Sequence, residues 1–196
     1  MDILELLQNL SGNSSALKQL NKKIDAEPAK VEKAVQISIP MLMEALNRNT
    51  NNPQGSQSLA KALEQHQDDN VNNLENFLQN VDTEDGSKIL QHIFSNKNQA
   101  VQNNLSKTTG LKQDQVGSIL ASLAPMLLGF LGNQKKAQNL DANGISKLTS
   151  SLSQNLQSSS GGSLFSLATK LLDSNKDGSI IDDILNMFGK VKKGKL

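Results

Sequence analysis

Apolar residues recur at helical spacing along most of this 196-residue chain, and this periodicity constrains the fold more than any other feature. Asparagine and glutamine lie mainly between the apolar positions, as expected for the solvated side of amphipathic helices. No stretch of four or more residues alternates strictly between apolar and polar types with turn signals at both ends. The clearest series are Leu17, Leu20, Ile24; Val31, Val35, Ile39, Leu42, Leu46; and Leu74, Phe77, Leu78, Val81. The sequence therefore predicts an all-α protein.

The composition excludes several kinds of site. Cysteine is absent, so the chain has no disulfide, no thiolate nucleophile and no cysteine-ligated metal centre. The formal net charge is +1 and Arg48 is the only arginine, so we expect little attraction to nucleic acid or to an anionic surface. Tryptophan and tyrosine are also absent, and the five phenylalanines give few aromatic surfaces on which bases or sugars could stack.

Two segments bear on location. Residues 1–6 carry acids where a signal peptide carries positive charge, which predicts a cytoplasmic protein. Residues 116–132 hold no charge, but glycines, serines and Pro125 interrupt this stretch, and a spanning helix needs about 20 apolar residues. We therefore expect a buried core helix there and no insertion into a membrane.

Two parts of the chain are similar to each other. A shift of about 85 residues aligns Ile39-Pro40-Met41-Leu42 with Ala124-Pro125-Met126-Leu127. Each unit has the pattern of a shorter helix, a turn and a long apolar helix with a proline near its middle, which should bend that helix. The prediction is a multihelical array of two related units, about 1–50 and 86–134, whose proline-bent helices share a core. Chance similarity between leucine-rich helices is the alternative.

Composition divides the chain into three parts. Residues 1–149 are predicted to form the multihelical domain. Residues 150–163 are rich in serine and glycine, which is typical of a flexible linker. Residues 164–196 are predicted to form a helix-loop-helix resembling an EF-hand, followed by a basic tail that we expect to be solvated.

The loop of this C-terminal segment carries the one chemically specific pattern in the sequence. Oxygen donors stand at loop positions 1, 3 and 5, a glycine at position 6 permits the sharp turn, and position 7 supplies a backbone carbonyl. A hard dication needs several oxygens from a short loop, and alternate residues provide them. The candidate ligands are Asp173, Asn175, Asp177, Ser179, Asp182 and Asp183. The predicted ion is Ca²⁺.

The end of the loop departs from the EF-hand pattern. Position 12, which normally holds a bidentate glutamate, is Ile184, so either Asp182 or Asp183 would have to close a shortened loop. Loss of the bidentate ligand should weaken affinity or relax selectivity toward Mg²⁺. The alternative is that Asp173, Asn175 and Asp177 form turns and cap the last helix without any metal.

The tandem apolar helices with proline, the glycine-containing helix connections and the Asp-rich ending at 171–185 together resemble the YidB-like family of uncharacterised bacterial proteins. The resemblance covers most of the chain, and only the Asp-rich ending is sharply patterned. It implies a multihelical array and a bacterial source, and it implies no activity.

Two other functions are weaker alternatives. Residues 98–123, with Gly110 at the turn, have the spacing of a DNA-binding helix-turn-helix, but the second helix is apolar on nearly every face. An enzyme is not expected, because His66 and His92 occupy polar helical positions predicted to be solvated, without a nucleophile to activate. We expect a non-enzymatic structural or interaction protein that binds a protein partner or a second copy of itself, and not nucleic acid or a membrane.

Overall fold

The computed structural model describes residues 2–12, 14–159 and 162–173, and all regular structure within these ranges is helical. This confirms the all-α prediction for the described part of the chain. A short 3-10 turn, Ser95–Lys97, lies between the sixth and seventh α-helices. The α-helices are α1 (Ile3–Asn9), α2 (Ser15–Ile24), α3 (Pro28–Asn49), α4 (Pro53–His66), α5 (Leu74–Asn80), α6 (Thr83–Phe94), α7 (Asn98–Thr109), α8 (Gln113–Gln138), α9 (Ala142–Ser158) and α10 (Gly162–Asp173).

Local sequence sets where most of these helices begin. The side chain of Asn52 accepts a hydrogen bond from the amide of Gly55 at 2.8 Å, which caps α4. Asp141 caps α9 in the same way at 2.7 Å, through the amide of Gly144. Such caps satisfy amide groups that have no partner inside the helix. Pro28 lies in the first turn of α3, where its missing N–H costs nothing.

The core is built on α3 and α8, the two longest described helices, which contact each other and each contain an internal proline. Helices α9 and α10 pack on α3, whereas α4 and α6 pack on α8. Every residue of α8 from Ile119 to Gly132 is buried, as expected for a helix that is apolar nearly all round.

Within the described residues, α8 is the one helix long and apolar enough to cross a membrane by length and composition. Its most apolar window has a mean hydropathy of 1.6, and 83% of that window is buried inside the fold. The core helix of a water-soluble fold meets the same criteria. The burial agrees with the core helix predicted for residues 116–132.

Helix α6 lies very close to α8 at Gly86. A Cβ atom added to Gly86 would lie 1.9 Å from the carbonyl oxygen of Ala121, well inside van der Waals contact. Ala121 stands four residues before Pro125, which has no N–H to donate to that carbonyl. Pro125 thus leaves the carbonyl of Ala121 without its intrahelical donor, and α6 packs against this carbonyl. Only glycine leaves enough space for that contact at position 86.

The prediction of a flexible linker over 150–163 is wrong for residues 150–158, which form the second half of α9. Leu152, Ser153 and Leu156 are buried there, and this helical spacing of core residues outweighs the high serine content. The polar segment 47–55 is also mostly helical, because α3 continues to Asn49 and α4 begins at Pro53.

Helix α10 leads into the segment for which the helix-loop-helix is predicted, and it packs on α3 and α9. Its core-facing side chains lie at helical spacing, and they anchor this helix to the body of the fold. The buried residues are Phe165, Leu167, Ala168, Leu171 and Leu172.

Candidate functional sites around Arg48 and between helices four and six

One of the six predicted metal ligands falls within the described residues. Asp173 is the last residue of α10, so the first loop position directly follows a helix packed on the core. Asn175, Asp177, Ser179, Asp182 and Asp183 lie outside the described residues, as do the predicted outgoing helix and the basic tail. Within the described residues, no group of three or more histidine, aspartate or glutamate side chains could hold a metal ion.

The carboxylate of Asp173 faces Arg48 near the end of α3. Arg48 Nη2 donates to Asp173 Oδ2 at 3.1 Å, and Arg48 Nη1 donates to Oδ1 of the same carboxylate. The pKa of the Asp173 carboxyl lies below its usual value, chiefly because Arg48 donates these hydrogen bonds. The pKa of Arg48 is raised in turn, with the hydrogen bond to Asp173 as the largest cause. Two-point contact with a carboxylate suits the planar guanidinium.

Arg48 also joins Asp173 to a less exposed carboxylate. Its Nε atom donates to Glu44 Oε1 at 2.8 Å, one helical turn earlier on α3. The other oxygen of Glu44 accepts a hydrogen bond from Ser153 Oγ of α9 at 2.7 Å, and the Glu44 side chain is only 13% exposed. A single arginine therefore links α3 to α10, and the Glu44 carboxylate extends the network to α9.

A second polar contact holds the end of α10. Asn104 Nδ2 of α7 donates to the carbonyl oxygen of Leu171 at 3.3 Å. Carbonyl groups in the last turn of a helix have no intrahelical donor, so a side-chain amide stabilises that end. The last turn of α10 is thus held by a contact from α3 at Asp173 and by a contact from α7 at Leu171.

Sequence reasoning did not identify Arg48 as part of a site. Its spacing to Glu44 is the i, i+4 spacing of an ion pair on a helix, which is a local signal. Its contact with Asp173 spans 125 positions in sequence, and no local pattern predicts such a pairing.

A separate cleft lies between α4 and α6 and has a volume of about 650 Å³. Leucine and isoleucine side chains form its floor, and polar side chains from both helices form its rim. The floor residues are Leu46, Leu59, Ile89, Ile93 and Leu128, and the rim includes Asn52, Lys61, Gln65, His66, Asp85, Lys88 and His92.

His66 differs from its sequence prediction. We expected both histidines to be solvated, and His92 is exposed, but the His66 side chain is only 14% exposed. Its Nδ1 atom lies 2.8 Å from Asp69 Oδ2, and its Nε2 atom lies 3.8 Å from Asp85 Oδ2. A carboxylate only accepts hydrogen bonds, so Nδ1 carries the proton in this contact. Burial follows because α6 brings Asp85 alongside the end of α4.

The acidic pairs Asp68-Asp69 and Glu84-Asp85 occupy different positions relative to their helices. Acids are favoured at a helix start, where the helix dipole is positive. Glu84 and Asp85 lie in the first turn of α6, as expected. Asp68 and Asp69 instead follow the end of α4, where Asp68 pairs with Lys136 of α8 and Asp69 pairs with His66. Both contacts join the segment after α4 to a neighbouring helix.

The predicted helix-turn-helix segment has the expected local shape. Helix α7 ends at Thr109, Gly110 has a positive φ of 72°, and α8 begins at Gln113. However, α8 is buried on every face from Ile119 onward, so only its first turn could reach a DNA groove. This geometry gives no support to the DNA-binding alternative.

The start of α6, beside the cleft, supplies a pH prediction. Asp82 Oδ1 accepts from the amide of Glu84 at 2.8 Å and from the amide of Asp85 at 3.2 Å. These hydrogen bonds are the main reason that the pKa of Asp82 lies below its ordinary value of 3.8. A lowered folded-state pKa gives stability that is present above the unfolded-state pKa and is lost as pH falls through the folded-state pKa.

Asp82→Ala should therefore lower the melting temperature at neutral pH. The difference in melting temperature between this variant and the parent protein should become smaller below about pH 4. Asp82→Asn is the control, because asparagine caps a helix without titrating. Its melting temperature at neutral pH should equal that of the parent protein. Circular dichroism melts between pH 7 and pH 2.5 measure both. A gap that stays constant into strong acid would contradict the role of the Asp82 charge.

Comparison with known proteins places the helical body in a family. A family described as "Bacterial protein of unknown function (DUF937)" matches residues 5–134, which is more than half of the chain. The chain belongs to this family. The DUF937 match runs from α1 into α8 and covers both of the similar units, whereas α9, α10 and the predicted metal loop lie beyond it. No curated protein and no solved structure matches the chain.

The family assignment agrees with the resemblance to uncharacterised bacterial proteins noted from the sequence. The description of DUF937 gives a bacterial origin for the family and names no activity. The function must therefore be argued from the contacts in this chain.

Proposed function

We propose that this DUF937 member is a non-enzymatic structural or interaction protein whose C-terminal loop binds one Ca²⁺ ion and reports that binding to the helical body through α10. The observation that carries the proposal is the position of Asp173. It opens the predicted loop, ends a helix buried against α3, and contacts Arg48 with its carboxylate. A change at the loop would thus act directly on a residue of the core helix.

Metal binding and the Arg48 contact compete for the same carboxylate. Ca²⁺ takes six to eight oxygen ligands at about 2.3–2.6 Å, so Asp173 at loop position 1 would direct an oxygen at the ion. A guanidinium on the same carboxylate would repel the ion, so binding should loosen the contact between Arg48 and Asp173. Arg48 would keep its hydrogen bond to Glu44. The carboxylate of Asp173 would therefore exchange Arg48 for the Ca²⁺ ion as its partner.

The expected affinity is modest. Ile184 stands where a bidentate glutamate normally completes the shell, and Arg48 opposes the ion at position 1. Weak EF-hand sites have dissociation constants of about 10⁻⁴–10⁻³ M, and we place this loop in that range. Mg²⁺, which keeps several of its own waters, is the competing ion.

We also propose that the body consists of two related helical units. Helix α2 ends at Ile24 and α3 begins at Pro28, whereas α7 ends at Thr109 and α8 begins at Gln113, so both boundaries obey the same shift of about 85 residues. The residue after each shorter helix adopts a left-handed conformation, with φ of 51° at Asp25 and 72° at Gly110. These matched boundaries support a duplicated helix-turn-helix unit whose two long helices pack together.

Calorimetric titration tests the metal proposal. Ca²⁺ and Mg²⁺ are each titrated into the full chain and into Asp177→Ala, which removes a predicted ligand. Asp114→Ala, an exposed acid at the start of α8, is the matched control for loss of one negative charge. We expect saturable Ca²⁺ binding in the parent and in Asp114→Ala, and affinity at least about tenfold weaker in Asp177→Ala. Heat no larger than dilution in the parent would end the proposal.

A further inference from the structure

Two lysine side chains line the cleft between α4 and α6. Lys61 of α4 and Lys88 of α6 both line it, both are exposed, and neither forms an ion pair with a described residue. Asp85 is the one carboxylate among the lining residues, and it lies 3.8 Å from His66 Nε2. Apart from the histidines, the lining residues therefore carry two lysine ammonium groups against one carboxylate. Outside the lining, the charge of Lys88 also acts on Asp82 at the start of α6.

Both walls of the cleft follow from helical spacing. Leu59, Ala62 and His66 recur on one face of α4, and Asp85, Ile89 and His92 recur on one face of α6. Residues three and four apart share a helix face, so each helix turns a continuous stripe toward the other. The apolar members of these stripes are continuous with the core, and the charged members stand at the rim.

The size and chemistry of the cleft fit a small ligand. Its volume of about 650 Å³ lies within the range of about 300–1,000 Å³ that is typical of small-molecule sites. Such sites combine an apolar lining with a few polar groups that orient the ligand. We propose that this cleft binds a small soluble amphiphile with one negative charge, its apolar body on Leu59 and Ile89 and its head group at Lys61 and Lys88. A single excess positive charge favours a carboxylate or sulfonate over a doubly charged phosphate.

Two dyes of nearly identical shape test the proposal. 8-Anilinonaphthalene-1-sulfonate carries one negative charge, and N-phenyl-1-naphthylamine has the same aromatic body without the sulfonate. The chain has no tryptophan or tyrosine, so protein emission does not interfere with the dye signal. We expect the full chain to bind the sulfonate dye saturably and about tenfold more tightly than the uncharged dye, which corresponds to about 1.4 kcal/mol.

Variants locate the binding. Lys61→Met with Lys88→Met keeps the apolar length of both side chains and should remove most of the preference for the sulfonate dye. Lys22→Met with Lys147→Met, on exposed faces of α2 and α9, removes the same charge elsewhere and should leave the preference intact. Ala62→Phe places a ring inside the cleft and should weaken both dyes. Unchanged circular dichroism melts verify that each variant is folded.

Three results would overturn the inference. The first is equal affinity of the two dyes for the parent protein. The second is loss of the sulfonate preference in the control pair to the same degree as in the cleft pair. The third is binding of both dyes to Ala62→Phe with the affinity of the parent.

Discussion

Gly86→Ala should lower the free energy of unfolding by about 3 kcal/mol, whereas the same change inside most helices is stabilising. The added Cβ atom would lie 1.9 Å from the carbonyl oxygen of Ala121, and its neighbours there are backbone atoms that cannot rotate away. Helix α6 would have to move off α8 to make room. Urea unfolding followed by circular dichroism measures the loss.

Gly117→Ala is the matched control for this prediction. Gly117 also lies within a helix, but an added Cβ atom would meet only the end of the Gln102 side chain, at 3.3 Å. That side chain can move, so the usual helix propensity should dominate and the variant should gain up to about 1 kcal/mol. Equal effects of the two substitutions would show that the close approach of α6 to α8 at Gly86 is not what limits stability.

Arg48→Ala should cost about 2 kcal/mol, the second largest effect that we expect. The substitution leaves Glu44, only 13% exposed, without its cationic partner and removes the contact that ties Asp173 to α3. Loss of one partner of a fully buried ion pair lowers the free energy of unfolding by about 3–5 kcal/mol. The loss is smaller here because the side chains of Arg48 and Asp173 are 37% and 53% exposed, and solvent weakens their attraction. Arg48→Lys keeps the charge but not the two-point geometry, so it should cost less.

Lys136→Ala is the control for the Arg48 series. It removes an ion pair with Asp68 in which both side chains are more than half exposed, and such pairs contribute about 0–1 kcal/mol. We expect its unfolding curve to stay close to that of the parent. If Arg48→Ala were equally mild, the network from Glu44 to Asp173 would be incidental to the docking of α10.

The elements that the sequence predicts well are those set by local chemistry. Helical periodicity predicts the amphipathic faces of α2 and α3, and Pro28 marks the start of α3. The sequence also indicates the turn at Gly110 and the helix cap at Asp82, because each acts on residues two to four positions away. In these cases the cause and its effect lie within one helical turn.

Composition and local pattern gave wrong or incomplete predictions where contacts between helices determine the structure. Residues 150–158 are rich in serine, yet they continue α9 because Leu152 and Leu156 have core positions to occupy. His66 was predicted to be solvated, whereas α6 brings Asp85 to 3.8 Å from its Nε2 atom. Arg48 likewise finds Asp173 only after α10 docks on α3. Each of these contacts depends on helix packing that a single sequence does not express locally.

We propose that an ion and Arg48 compete for the carboxylate of Asp173, and a Ca²⁺ titration of Arg48→Gln beside the parent protein measures this competition. Glutamine keeps a hydrogen-bond donor near Glu44 but removes the positive charge that opposes the ion. We expect saturable Ca²⁺ binding in both proteins, with affinity at least about threefold higher in Arg48→Gln because the repulsion is gone. Absence of binding in both proteins, or equal or weaker affinity in the variant, would contradict it.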